Sequence, residues 1–329
     1  MKKFIIGKMI NLVDPRLGTK VVFKTDEFFA PANRIINNQN PIFKDGVFDS
    51  HGKWMDGWET RRRRIKGFDY LIIKLGRPGK ISNIDIDTKF FSGNQPTQAS
   101  LEGCFSKKNN PNKKIKWVQI LKKKKIGPNK NHNFKIKNNS IFTHVKLNIY
   151  PDGGVARLRI FGEIDLKKIN FKNKIINITS MLNGASIVAC NNEHFGKAEN
   201  ILAPGKGKNM GDGWETRRSR GKNYDWLIIK CGLNGKLRKI EIDTHHFKGN
   251  YPDSCSIQTA YISKKNSNSR IVIKSKKWNM VLNKVKLKAN TKHIFKNEIM
   301  SKNKINYIKI NIFPDGGISR IRAFGNILK

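Results

Sequence analysis

Seven residues, Asp-Gly-Trp-Glu-Thr-Arg-Arg, occupy Asp56–Arg62 and recur unchanged at Asp212–Arg218. Each copy puts two carboxylates, an indole and two adjacent guanidiniums into one short stretch. A guanidinium fork matches a carboxylate with two parallel charge-assisted hydrogen bonds, so these arginines suit capture of an organic anion. A Glu three residues from the second Arg can carry or accept a proton if its environment tunes it. The same residues also have a purely structural reading. Asp-Gly is a turn pair, Trp58 and Trp214 are core anchors, and Glu59 with Arg61 or Arg62 forms a surface ion pair.

The repeat extends well beyond the heptapeptide. Asp69–Lys74 is answered by Asp225–Lys230, Ile84–Thr88 by Ile240–Thr244, and Phe91–Pro96 by Phe247–Pro252. Pro151-Asp152-Gly153-Gly154 returns as Pro314-Asp315-Gly316-Gly317, at an offset seven residues larger. The second repeat therefore carries a net insertion, expected in a polar surface loop. Apolar residues alternate along Val145/Leu147/Ile149 and Ile308/Ile310/Ile312, with Lys146 and Asn148 expected on the opposite face. Short alternating stretches bounded by Gly, Pro, Asn and Asp predict a mainly β chain, with one sandwich or jelly roll per repeat. Helical character is expected only as a turn or two at Ala32–Asn37 and Lys197–Leu202. The repeats divide near Glu163–Lys168, giving domains over 1–164 and 165–329. In this arrangement the heptapeptide, the Asp87/Asp243 strand ends and the Pro-Asp-Gly-Gly joints all fall in end loops, where a rigid scaffold can build a site.

The chain has 329 residues and a net charge of +42. Dense positive charge suggests nucleic acid, but the two cations are distributed differently. The 50 lysines are scattered among Asn and Ile, a bias that A/T-rich codons explain. Eleven of the 16 arginines (Arg61–Arg64, Arg157, Arg159, Arg217, Arg218, Arg220, Arg320 and Arg322) lie in repeated motifs. The lysine runs also carry few of the aromatics that a single-strand binder interleaves. Neither a nucleic-acid nor a membrane partner is expected. Four scattered cysteines without CxxC spacing read as reduced thiols. The apolar run at the start stops at Lys8, too short for a secretory signal, and no segment approaches membrane-span length. A cytoplasmic location is the expectation.

The ordered set Asn11–Gly18, Asp26–Pro31, Asp56–Arg62, Phe91–Asn94 and Asp243–Asn250 resembles the allantoicase (allantoate amidinohydrolase) family over essentially the whole chain. The resemblance implies two tandem galactose-binding-domain-like jelly rolls. It also implies hydrolysis of allantoate to ureidoglycolate and urea in purine (allantoin) degradation. No cofactor is expected. Allantoate carries one carboxylate and two ureido groups on a single carbon. Arg61, Arg62, Arg217 and Arg218 are then the anchors for the carboxylate. Asn94 and Asn250 are donors to ureido carbonyls. Glu59, Asp87, Glu215, Asp243, His245 and His246 compete for the acid and base roles.

The repeats differ in their histidines. His245-His246 stand where the first repeat has Lys89-Phe90, and His194 where it has Phe28. His194, His245, His246 and Glu193 offer metal-ligand types. Adjacent His residues on a strand would point to opposite faces, however, so no metal is assigned. A non-catalytic jelly roll that only holds a small ligand is the competing function. A homo-oligomer is allowed by the sequence but not indicated by it.

Overall fold

The computed structural model describes residues 4–111, 115–167, 171, 175–219, 221, 223–264, 266–301 and 303–328. Arg220 lies outside these residues. The chain forms two compact units, Ile10–Asp165 and Met1–Met9 with Leu166–Lys329. The second unit thus includes the start of the chain: Ile5–Ile6 pair antiparallel with Ala189–Cys190.

In the first unit one 19-residue strand, Asp69–Asp87, organises everything else. Its first half lies between Lys20–Lys24 and Ile141–Tyr150. Its second half lies between Asn131–Lys135 and Arg157–Ile164. Gln98–Cys104 and Val118–Lys125 extend the sheet beyond Ile141–Tyr150. A strand whose two halves keep different partners passes from one layer of a β-sandwich to the other. The second unit repeats this plan around Asp225–Asp243, flanked by Ser186–Cys190, Lys304–Phe313, Lys292–Phe295 and Arg320–Ile327.

Gly76-Arg77-Pro78-Gly79 lies in the middle of the Asp69–Asp87 strand. The chain does not turn there. Gly76 lies so close to Leu17 that an added Cβ would sit 2.0 Å from the Leu17 carbonyl oxygen. The glycines permit close backbone approach instead of reversal.

Alternation places the core as expected on one face: Leu71, Ile73, Ile84, Ile86, Val145, Leu147 and Ile149 are fully buried. The opposite face is less open than alternation implies. Asn148 is buried, donating to Ser100 Oγ at 3.1 Å and to Glu102 Oε2 at 2.9 Å, and Lys146 pairs with Glu102 at 2.7 Å. In the second unit Lys309 and Asn311 are likewise buried.

The expected helical turns are 3-10 helices at Ala32–Ile36 and Ala198–Leu202. The insertion in the second repeat is more than a loop. It contributes the α-helix Asn268–Lys274, whose Ile271 and Val272 pack on Val188, Ala189, Ile228 and Tyr307. A single pair of inward aliphatics in a lysine-rich segment is too weak a periodic signal to reveal it.

A compact wedge holds the end loops of each unit. Phe91, buried, lies beneath the heptapeptide and the Pro-Asp-Gly-Gly joint together. A Cβ on Gly154 would stand 1.9 Å from the Phe91 ring, and one on Gly57 2.6 Å from the Val155 carbonyl oxygen. Phe247 does the same beneath Gly213 and Gly317. Gly154→Ala should therefore destabilise the first unit by about 1–3 kcal/mol, the usual overpacking cost, because the buried ring has no room to retreat. Denaturant unfolding of the variant against the parent checks this.

Candidate active site

Each heptapeptide begins with a buried ion pair. Arg157, with no side-chain exposure, donates from Nη2 to Asp56 Oδ2 at 2.7 Å and from Nη1 to the Asp56 carbonyl at 2.7 Å. Arg320 binds Asp212 Oδ2 in the same way at 2.7 Å. These aspartates are therefore structural acids and not simple turn formers. The indoles are core anchors as expected. Trp58 and Trp214 are fully buried, and each donates Nε1–H to a backbone carbonyl at 2.8 Å, of Asp26 and Asn192 respectively.

The next residue leads into the loop cluster. Glu59 pairs across a two-residue bridge with Gly154, and its carbonyl accepts from Phe29 and Ala30. Thr60 and Gly153 bond reciprocally: Thr60 N–H donates to the Gly153 carbonyl at 3.2 Å, and Gly153 N–H to Thr60 Oγ1 at 3.1 Å. Gly154 N–H donates to the Asn94 carbonyl at 2.7 Å. Three sequence motifs that lie up to about a hundred residues apart thus meet at one end of the unit. The second unit repeats the set with Glu215, Thr216, Gly316, Gly317 and Asn250.

This convergence brings together two of the expected site residues in each repeat. Asn94 Nδ2 donates to Glu59 Oε1 at 2.7 Å, and Asn250 Nδ2 donates to Glu215 Oε1. Glu59 does not pair with Arg61 or Arg62, so the surface ion pair of the structural reading is absent. Burial pushes the Glu59 carboxyl above its ordinary value, and the Asn94 bond only partly offsets this. A carboxyl of this kind keeps its proton further toward neutral pH and suits a general acid.

The arginines behave unequally. Arg61 is tied down: its backbone N–H and Nε donate to Asp26 at 2.7 and 3.0 Å, Nη2 lies 2.8 Å from Asp26 Oδ1, and its guanidinium stacks over Phe28 at 5.2 Å. Arg217 instead faces Asn192, and its Nη2 lies 3.3 Å from His194 Nδ1. Arg62 and Arg218 are exposed and have no ion-pair or hydrogen-bond partner among the described residues. Asp26, at the head of the Asp26–Pro31 motif, and Asn192, its aligned counterpart, decide these differences, and sequence reasoning singled out neither as a site residue.

Asp87 and Asp243 each close a turn, accepting the backbone N–H of Lys89 and of His245 at 2.9 Å. His245 and His246 correct the sequence picture. They lie in a turn beyond the strand, with His246 at φ 74°, so their rings do not point to opposite faces but meet at 4.0 Å. The His246 ring nitrogen Nε2 is 2.9 Å from the Gly207 carbonyl oxygen. Glu193 is engaged elsewhere, accepting Ala198 N–H at 3.0 Å. Among the described residues no three His, Cys, Asp or Glu side chains gather as a metal set.

Comparison with known proteins gives this arrangement a context. An allantoicase repeat model matches residues 10–165 and again 176–328. A probable allantoicase of Pseudomonas fluorescens is 47% identical over 98% of this chain and 97% of its own. One from Acinetobacter baumannii is 45% identical over 99% and 96%. The crystal structure of allantoicase from Saccharomyces cerevisiae superposes with a TM-score of 0.81 at 34% identity, covering 96% of this chain and 92% of that one.

Two outcomes follow from the geometry. Asp56→Ala strands Arg157 as a buried unpaired cation and should cost about 3–5 kcal/mol in denaturant unfolding. Glu59→Gln tests the raised carboxyl. A raised folded-state value means stability that is full below the ordinary Glu value of 4.5 and is lost as pH rises through the folded value. The melting temperature of Glu59→Gln relative to the parent should therefore rise between about pH 4 and about pH 7. A difference independent of pH would contradict the assignment.

Proposed function

The chain belongs to the allantoicase family, and from that premise we propose that its twin Glu–Asn loop clusters bind allantoate and release urea from it. The protein is a hydrolase of the amidine-type C–N bond of allantoate, in purine breakdown. Water adds its oxygen to the central carbon, the bond from that carbon to one ureido nitrogen breaks, and a proton passes to the departing nitrogen. The products are ureidoglycolate and urea.

The observation that carries the site reading is a carboxylate, buried in Glu59 and partly buried in Glu215, held by an amide donor and three residues from an exposed guanidinium with no partner among the described residues. Glu59 with Arg62, and Glu215 with Arg218, meet that description. The free guanidinium is suited to the substrate carboxylate, which it can grip with both arms of its fork. Asn94 and Asn250 orient the glutamates; Asn94 still has a second N–H for a ureido carbonyl, and that of Asn250 meets only the weak acceptor Met210 Sδ at 3.8 Å, which such a carbonyl can replace. A carboxyl with a raised proton affinity, such as Glu59, can protonate the leaving nitrogen, and in ionised form can take a proton from attacking water. Asp87 and Asp243 use one carboxylate oxygen to close their turns and keep the other, which leaves them eligible as the partner base. Among the described residues the His245 ring, unlike that of His246, has no hydrogen-bond partner, and we assign it the same eligibility.

Each repeat is taken as a domain, and the working compartment as the cytoplasm. Four buried, unpaired cysteines support a reducing environment. No helix among the described residues is long and apolar enough to cross a membrane.

Urea release from allantoate by the purified protein tests the activity, and folded protein giving no urea above a heat-killed control would overturn it. Arg62→Lys and Arg218→Lys together should raise KM about tenfold or more, because an ammonium cannot reproduce the fork. An unchanged KM in the double variant would remove the loops from the substrate site.

A further inference from the structure

The two heptapeptides are identical, yet the residue facing their first arginine is not. In the first repeat that residue is Asp26. Its carboxylate takes three contacts from Arg61, at the backbone N–H, Nε and Nη2, between 2.7 and 3.0 Å. The Phe28 ring closes the other side of the same guanidinium. The Nε–Nη2 edge of Arg61 thus already holds an internal anion, and a carboxylate ligand would have to displace Asp26 to grip that edge. Burial alone would push the Asp26 carboxyl up, but the bonds from Arg61 and from Phe28 N–H outweigh it and hold it below the usual range, so the internal anion stays charged.

In the second repeat Asn192 stands at the Asp26 position. It keeps the backbone role, since its carbonyl still accepts the Trp214 indole at 2.8 Å, as that of Asp26 accepts Trp58. Its side chain, however, is neutral and reaches only the Arg217 backbone N–H, at 3.4 Å. Among the described residues the guanidinium of Arg217 has one neighbour within hydrogen-bond range, His194 Nδ1 at 3.3 Å. His194 replaces the Phe28 ring, so a polar ring now steers the guanidinium where an apolar one covered it. Among the described residues the second repeat therefore presents both arginines of its heptapeptide, Arg217 and Arg218, with no carboxylate on either. In the first repeat's heptapeptide only Arg62 is presented in this way.

We propose that the substrate carboxylate binds at the second repeat, on Arg217 and Arg218, and that Asn192 is the specificity-determining residue that leaves Arg217 free to receive it. The proposal rests on the reading of the twin loops as the substrate site. It gives the duplication a division of labour. The first repeat neutralises its own arginine, whereas the second keeps its charge for a ligand.

Asn192→Asp is the direct test. The change is isosteric, spares the backbone contact to Trp214, and supplies the charge that Asp26 supplies in the first repeat. It should raise KM for allantoate about tenfold or more with a much smaller change in kcat, and circular dichroism and melting should show the fold retained. Arg218→Gln should raise KM by a comparable factor, whereas Arg62→Gln should raise it far less. A KM unchanged in Asn192→Asp would overturn the proposal. So would an effect of Arg62→Gln that equals or exceeds that of Arg218→Gln. If neither Arg62→Gln nor Arg218→Gln alters KM, the loops are not the carboxylate site at all, and the underlying site reading fails along with the inference.

Discussion

A guanidinium sealed in a β-sandwich must have its charge met, and the position of every loop at the site follows from how this chain meets it. Arg157 is fully buried, and Asp56 is the only carboxylate within its reach among the described residues. Desolvating both ions is costly, so the pair is tolerated only with good geometry and the remaining donors filled. The carbonyls of Asp56, Gln39 and Ala156 fill them. That requirement fixes the start of the heptapeptide against the strand Arg157–Ile164. Once Asp56 is placed, Trp58 drops into the core and Glu59, the next residue, is delivered beside Asn94. The chemistry-bearing residues are thus positioned by a structural acid that takes no part in the chemistry.

The same constraint operates twice, through Arg320 and Asp212. Both units accordingly reproduce the carboxylate–amide contact and the reciprocal bonds of the Thr and Gly residues. Where they differ, they differ at residues outside the ion pair, namely Asp26 against Asn192, Phe28 against His194, and Lys89-Phe90 against His245-His246. The scaffold is held in common while the electrostatics around it diverge. Fold and charge are separable here because the scaffold contacts are buried and the diverging residues are partly or fully exposed.

Much of this was legible in the sequence. Period-two alternation located the inner faces of Ile141–Tyr150 and Lys304–Phe313, and duplicated motifs gave two mainly β units. What the sequence misread has definite causes. His245 and His246 were assigned strand geometry, whereas a left-handed residue at His246 ends the strand early and brings the rings together. The Asn268–Lys274 helix was hidden in a lysine-rich insertion. Asp56 was read as a turn former, because its partner lies about a hundred residues away and no local pattern announces a buried ion pair.

The Phe91 wedge bears on how the identity of the two heptapeptides is to be understood. Gly57 and Gly154 are each pressed against one ring, and Phe247 confines Gly213 and Gly317 likewise. None of the three positions can change unless the others change with it, so drift by single substitutions is blocked in either repeat, whether or not that repeat turns over substrate. Preservation of the heptapeptide's glycine after duplication is then a record of mutual confinement, which does not reach the exposed arginines of the same motif. The informative positions for tracing which half retained a task are the unconfined ones around it.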